Sequence, residues 1–395
     1  MKQIVVTSAV RTAVGSFGGT LKEKGAAELG SIVIKESMIR SGIEKSRVSE
    51  IYMGCILQAG LGQNIARQSA LLSGLPVETP CTTVNMVCGS GLKSVMLAAQ
   101  SIKTDDNDIV IAGGTESMSN APYLLRNLRW GARMGDMQAV DSMVYDGLTD
   151  VFSGSHMGIM AENVAKKYGV SRQAQDTFAA LSQLKAQAAR ENGRFKDEIV
   201  PISVPQKKGD PIIFDTDEYP RAGTTVEKLS ALKPAFQKDG TVTAGNASGI
   251  NDGAAALVVM SAQTAHEAGI TPFAKIVSYA CVGVEPDLMG MGPVPAIKKA
   301  LSIAGLSLND IGLFELNEAF AAQSLAVIKE LNIKPEITNV NGGAIALGHP
   351  IGASGARILV TLLHEMQKRE IKYGACALCV GGGMGVAMIL ENAVD

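Results

Sequence analysis

The sequence lacks the features that most directly mark a membrane, secreted or nucleic-acid-binding protein. No apolar run approaches the roughly 20 residues that a spanning helix needs, and the opening "MKQIVVTSAVRT" has too short an apolar run for a signal peptide. Both absences point to the cytoplasm, with no membrane partner. Basic runs are missing as well. Lys and Arg number 36 against 38 Asp and Glu, a formal net charge of -2, whereas phosphate binding leaves a concentrated basic footprint, so nucleic acid is excluded as a principal partner. Cysteine is scarce: six in 395 residues are too few for a disulfide scaffold, and their neighbours are mostly apolar. Cys55, Cys81, Cys281 and Cys376 read as small buried hydrophobes. No cluster of ligand-type residues suggests a metal or an organic cofactor. Histidines are fewer still, at four.

What is present is apolar mass and repetition. A chain 46% hydrophobic and 19% charged can bury a large core, and its length predicts two or three structural units. The stretch "IKESMIRSGIEKSRVSEIYMG" from Ile34 aligns without a gap on "IKKALSIAGLSLNDIGLFELN" from Ile297, a shift of 263. Each copy reads as an amphipathic helix, a glycine turn and an apolar strand. "TVN" at Thr83 matches "NVN" at Asn339 and "CGSGLK" at Cys88 matches "GASGAR" at Gly352, so the second copy carries an eight-residue insertion, shift 264 less shift 256, that contains His349. "VIAGG" at Val110 paired with "LCVGG" at Leu378 would place Cys379 opposite Ile111.

Buried runs such as "DIVIAGG" and "ACALCVGG" predict central strands of an α/β fold, with the halves packed as a pseudo-dimer. Residues 1–118 and 249–270 form the first half, and 271–395 the second. Between them, 119–248 turns to Met, Gly, Arg and charged residues punctuated by Pro205, Pro211, Pro220 and Pro234, an inserted lobe. Within it, "SRQAQDTFAALSQLKAQAARENG" predicts a helix capped by Ser171 and closed at Gly193.

Two cysteines invite a chemical reading because each borders glycines at the end of an apolar segment. After Cys88, Leu92, Val95, Met96, Ala99 and Ile102 keep helical spacing, which sets the thiol at a helix N-terminus where thiolate is favoured. Gly89 and Gly91 leave room for a substrate carbonyl. His349, in the glycine-rich "GGAIALGHPIGASGAR", supplies a base. His266 and His364 lie in helical patterns as ordinary residues, and His156 remains a loop candidate. Cys379 and Cys376 are three apart on one strand and point to opposite faces, which removes a shared metal or redox pair. The glycines after Cys379 lead into "VAMIL", not a helix, and lack G-x-G-x-x-G spacing, which removes a dinucleotide loop.

Cys88 with Gly-Ser-Gly, "NEAFAAQ" from Asn317, "GGAIALGHPIGASGAR" and "CVGGGMG", in that order along the whole chain, resemble the thiolase family, and most closely its short-chain, acetoacetyl-CoA-forming branch. The resemblance implies the thiolase fold: two βαβαβαββ halves in an α-β-α-β-α layering, an inserted loop domain that binds CoA, and homodimers or homotetramers. It implies reversible Claisen condensation of two acetyl-CoA to acetoacetyl-CoA and CoA, with CoA as product and not cofactor. Cys88 would carry the acetyl group, His349 take its proton, and Cys379 deprotonate the second acetyl-CoA. His349 and Asn317, through a water, would form one oxyanion hole, and the N–H groups of Cys88 and Gly381 the other. Arg221, Leu148, His156, Phe236, Ala244, Ser248 and Phe320 match CoA-pocket positions, Met157 and Met289 match walls of the acyl pocket, and Lys228 stands where some members carry serine. Competing readings are a thiolase of broader chain length, a ketoacyl or HMG-CoA synthase, an acyl-CoA-binding protein, and a redox sensor built on Cys88 and Cys379.

Overall fold

The computed structural model describes residues 2–393. The first half comprises β1 (Ile4–Thr12), α1 (Ala26–Ser41), β2 (Glu50–Gly54), α2 (Ile65–Leu72), β3 (Cys81–Val84), α3 (Ser90–Lys103) and β4 (Ile109–Ser117). The inserted segment carries α4 (Met157–Tyr168) and α5 (Arg172–Glu191), after which β5 (Asn251–Ser261) returns to the first half. The second half has β6 (Ala274–Gly283), α6 (Pro293–Ala304), β7 (Leu313–Leu316), α7 (Ala321–Leu331), α8 (Ile351–Lys368), β8 (Tyr373–Val380) and β9 (Met384–Asn392).

The main strands run β7-β8-β9-β6-β1-β5-β4-β2-β3, so each half lays down its own sheet in mirrored order. The two sheets are joined edge to edge where Val5 and Val6 of β1 pair with Lys275 and Ala274 of β6. In both halves the first strand carries a register irregularity at the matching place, between Val6 and Ser8 and between Ile276 and Ser278.

Side-chain alternation divides the core into layers. On the first sheet, Ile109 and Ile111 face α1 and α2 through Leu29, Val33, Ile34 and Ala66. Val110 and Ala112 face the opposite way, toward α3 and α8, where Leu92, Val95, Leu359 and Leu363 meet Cys376, Leu378 and Val386 of the second sheet. The far side of that second sheet packs on α6 and α7 through Ile297, Ala300 and Val327. Each fully buried aliphatic side chain contributes about 1.5–3 kcal/mol relative to exposure. The order is therefore helix, sheet, helix, sheet, helix. The central helices approach at backbone distance: a Cβ on Gly91 would lie 2.7 Å from the Ala356 nitrogen, and one on Gly355 would lie 2.3 Å from that of Leu92.

Strand pairing corrects one sequence alignment. Ile111 pairs with Ile51, and Ala375 pairs with Phe314, 263 residues after Ile51, so Ala375 occupies the place of Ile111 and Cys379 that of Thr115. The glycine pairs that suggested otherwise have different tasks. Gly113 and Gly114 lie inside β4, where a Cβ would come within 2.0 Å of the Ala255 carbonyl and 2.1 Å of the Gly352 carbonyl. Gly381 and Gly382 follow the end of β8, and Gly382, with φ near +81°, begins the turn into β9.

Candidate active site

A cavity of about 610 Å³ opens between the two halves and the inserted segment, and Cys88, His349, Cys379 and Gly381 all reach it. Cys88 sits in the turn between β3 and α3. That turn is strained: Val87, a β-branched residue, has φ +44°. It is clamped by the Ser90 hydroxyl, which donates to the Val87 carbonyl at 2.7 Å and accepts from Met86 N at 2.8 Å, and by Asn85 Oδ1, which accepts from Val87 N at 3.1 Å. Gly89 is required by packing, since its Cβ would press to 2.9 Å on Val380.

The helix position does not make Cys88 a thiolate. Burial pushes its pKa up to about 11, although the N–H groups of Gly381 and of Cys88 itself work in the opposite direction. The expectation of a favoured thiolate fails because α3 starts at Ser90, two residues on, and loss of water outweighs its dipole. His349 is neutral for the same reason, since burial, with the Arg357 charge adding to it, lowers its pKa to about 3. Its backbone N–H donates to Asn251 Oδ1 at 2.9 Å, its Nδ1 lies 2.5 Å from Ser354 Oγ, and its Nε2 lies 3.4 Å from Asn317 Nδ2. Cys379, one residue before the end of β8, is buried, and desolvation followed by the neighbouring Cys88 raises its thiol well above the usual range.

The pocket positions expected from the sequence fall on the same cavity: Leu148, His156, Met157, Arg221, Phe236, Ala244, Ser248, Met289 and Phe320. Asn317 does not reach its surface. It is buried behind His349, with its Oδ1 unpaired among the described residues. His156 caps α4, its Nδ1 accepting from Gly158 N at 3.0 Å, and it stacks on Phe236 at 4.6 Å, which leaves its proton on Nε2. A side chain at Gly158 would strike the Phe236 ring. Met157, Met289 and Phe320 gather with Cys379 in one apolar cluster that bounds the inner end. Lys228 does not line the cavity, and its ammonium turns back to the Gly223 carbonyl at 2.7 Å. His364 is structural, buried with Nε2 2.9 Å from the Ala9 carbonyl.

Several contributors were not read from the sequence. Phe17, Tyr219 and Ile351 line the cavity, yet nothing in their local patterns marks them. Asn251 and Ser354 hold His349 from behind, and only Ser354 had a local signal, one helical turn beyond Pro350. Buried Glu116 accepts from Ile56, Leu57 and Gly352 N–H at 3.0, 3.1 and 2.9 Å and so ties the start of α8 to the loop after β2. Burial raises its pKa to about 7. A carboxyl ending the apolar run "IVIAGGTE" was its signal.

Comparison with known proteins places this geometry in a family. The description "Thiolase, N-terminal domain" matches residues 4–263, and "Thiolase, C-terminal domain" matches residues 270–392. An acetyl-CoA acetyltransferase of Cupriavidus necator is 59% identical over 392 residues, covering 99% of this chain and all of its own. One from Syntrophomonas wolfei is 58% identical with 99% of both chains covered. The crystal structure of the Bacillus anthracis acetyl-CoA acetyltransferase superposes with a TM-score of 0.97 at 46% identity over 99% of both chains.

Proposed function

The chain belongs to the thiolase family, and from that premise we propose that it catalyses reversible transfer of an acetyl group between two acetyl-CoA molecules, forming acetoacetyl-CoA and CoA. The observation that carries this reading is the meeting of two thiols, Cys88 and Cys379, with His349 in one cavity closed at its inner end by methionines.

In the resting site the thiol and imidazole are both neutral, so the proton leaves Cys88 for His349 as the sulfur attacks the thioester carbon. The negative charge then developing on the thioester oxygen is met by the N–H groups of Cys88 and Gly381. Collapse breaks the carbon–sulfur bond to CoA, which leaves with the proton from His349. A second acetyl-CoA loses a methyl proton to Cys379, whose own proton has passed to the now neutral His349, so that the Nε2–H and Asn317, the latter through a water, stabilise the enolate oxygen. The carbanion attacks the acetyl group, and the Cys88 sulfur it displaces takes its proton back from His349. A base that removes a carbon-bound proton must be strong, and the burial that keeps the Cys379 thiol hard to ionise makes its thiolate strongly basic.

CoA would lie along the outer part of the cavity, past His156, Ser248 and Phe236 toward Arg221, whose guanidinium sits 5.5 Å from the Tyr219 ring centre. Met157 and Met289 favour short acyl groups over longer ones. A cytoplasmic homodimer or homotetramer serving lipid metabolism, with no metal or organic cofactor, completes the reading. The test is thiolysis of acetoacetyl-CoA by CoA, followed as loss of enolate absorbance. Turnover by the wild type, with Cys379→Ser losing it while still acetylating Cys88, is the expected result. A wild type that acetylates Cys88 but performs no thiolysis would move the assignment to a synthase.

A further inference from the structure

Ser354 lies in the first turns of α8, five residues after His349, and is fully buried. Its Oγ is 2.9 Å from the Pro350 carbonyl oxygen and 2.5 Å from His349 Nδ1. A serine hydroxyl has one hydrogen to give and two lone pairs to offer. The Pro350 carbonyl, which also takes the N–H groups of Ala353 and Ser354 at 2.9 Å, can only accept, so a hydroxyl hydrogen turned to it leaves the contact with Nδ1 to run the other way, with the imidazole N–H donating. The contact on the other side of the ring selects that arrangement: Asn317 Nδ2, which can only donate, faces Nε2 at 3.4 Å. Back-bonding of a serine to the carbonyl four residues earlier is common in helices and does not require a histidine beside it. Here that bond leaves only the acceptor side of the oxygen for the ring.

We infer that Ser354 is a positioning residue: it holds His349 as the Nδ1–H tautomer, so that the Nε2 lone pair is the group that receives the Cys88 proton. The root of the ring is fixed at the same time, because Asn251 Oδ1 takes the His349 N–H at 2.9 Å and Gly348, with φ +103°, has no room for a side chain against Asn251. The proton balance is simple. Nε2 gains the proton from Cys88 as the sulfur–carbon bond forms and returns it to the departing CoA sulfur, while the Nδ1–H keeps donating to Ser354 Oγ throughout. With the opposite tautomer Nε2 would already carry hydrogen and could accept nothing.

The inference rests on the proposed reaction for its consequence, but its primary readout does not. In protein labelled with 15N-histidine, solid-state NMR distinguishes protonated from bare ring nitrogens, and His349→Asn identifies the signal among the four histidines. The expected spectrum has Nδ1 protonated and Nε2 bare. In Ser354→Ala the thiolysis kcat should fall about 10- to 100-fold, the size seen when the hydrogen-bond partner behind a functional histidine is removed. KM for acetoacetyl-CoA should stay within about twofold, and Ser354→Thr, which keeps the hydroxyl, should recover most of kcat. A wild-type spectrum with Nε2 protonated and Nδ1 bare overturns the inference, as does Ser354→Ala with wild-type kcat. Should that variant not fold, the wild-type spectrum decides alone. A wild type without thiolysis would sink the reaction proposed above and leave the tautomer still readable.

Discussion

A thiol raised to about 11 and an imidazole lowered to about 3 remain neutral together across the whole working range, which makes Cys88 a nucleophile only at the moment of attack. Reactivity toward iodoacetamide tests this. A preformed thiolate–imidazolium pair would alkylate at a rate independent of pH near neutrality, whereas a neutral thiol should react about tenfold faster per pH unit from about pH 7 to about pH 10. A plateau in that window would refute the neutral pair. His349 also bears on stability. Its folded pKa lies below the 6.5 of an unperturbed histidine, so between about 6.5 and 3 the unfolded chain binds a proton that the folded one refuses. Its contribution is present above about pH 6.5 and lost as pH falls toward 3. His349→Asn should therefore make the acid fall in unfolding free energy shallower, by at most about 1.4 kcal/mol per pH unit, measured by urea unfolding across that range. An unchanged slope would mean that His349 is not held neutral by the fold. Residue identities at this site were legible because Cys88, His349 and Cys379 each stand beside glycines, but their protonation was not: it depends on how completely the inserted segment removes water, which no local pattern encodes.

Elements were legible where their repeating units were long. The periodicity after Cys88 and the Ser171 cap correspond to α3 and to α5, where Ser171 Oγ accepts from Ala174 N at 3.2 Å. Register was less so, because glycine looks the same wherever it stands: Gly114 makes room for the start of α8, while Gly382, its counterpart in the alignment, turns a hairpin. That ambiguity displaced Cys379 by four positions in the alignment. The central helix pair gives the sharper test. A methyl group on Gly355 would come 2.3 Å from the Leu92 backbone nitrogen, and backbone in a packed layer cannot yield as a side-chain tip can. Gly355→Ala should cost about 3 kcal/mol or more. Gly283→Ala, at the end of β6 with nothing nearer than 3.9 Å, should stay within about 0.5 kcal/mol. Denaturant midpoints at constant m-value compare them, and equal costs would mean that the helices separate freely.

At the scale of the whole molecule, the duplication was readable because matched helix-turn-strand units recur at a nearly constant shift. The way the insertion is fastened to that frame was not. Arg11 on β1 donates to Glu198 Oε1 at 2.6 Å and to Asp217 Oδ1 and Oδ2 at 2.7 and 2.9 Å, partners 187 and 206 residues away, and all three side chains are buried. Separations of that length leave no periodic trace. The cluster reaches the cavity through the chain itself: Asp217 also accepts from Val14 N at 2.8 Å, Glu218 accepts from Ser16 N at 2.8 Å, and Tyr219 and Arg221 on the cavity wall follow directly. Removing the guanidinium would strand two buried carboxyl groups, and breaking such a cluster at one member costs about 3–5 kcal/mol. Arg11→Ala should therefore lower the unfolding midpoint and also raise KM for CoA several-fold, because the segment carrying Arg221 loses its anchor. Arg221→Ala should raise KM for CoA with the midpoint unchanged, since that side chain lies at the rim. If Arg11→Ala loses stability while KM for CoA stays at the wild-type value, the outer wall of the cavity is held by its own contacts and the frame does not set its position.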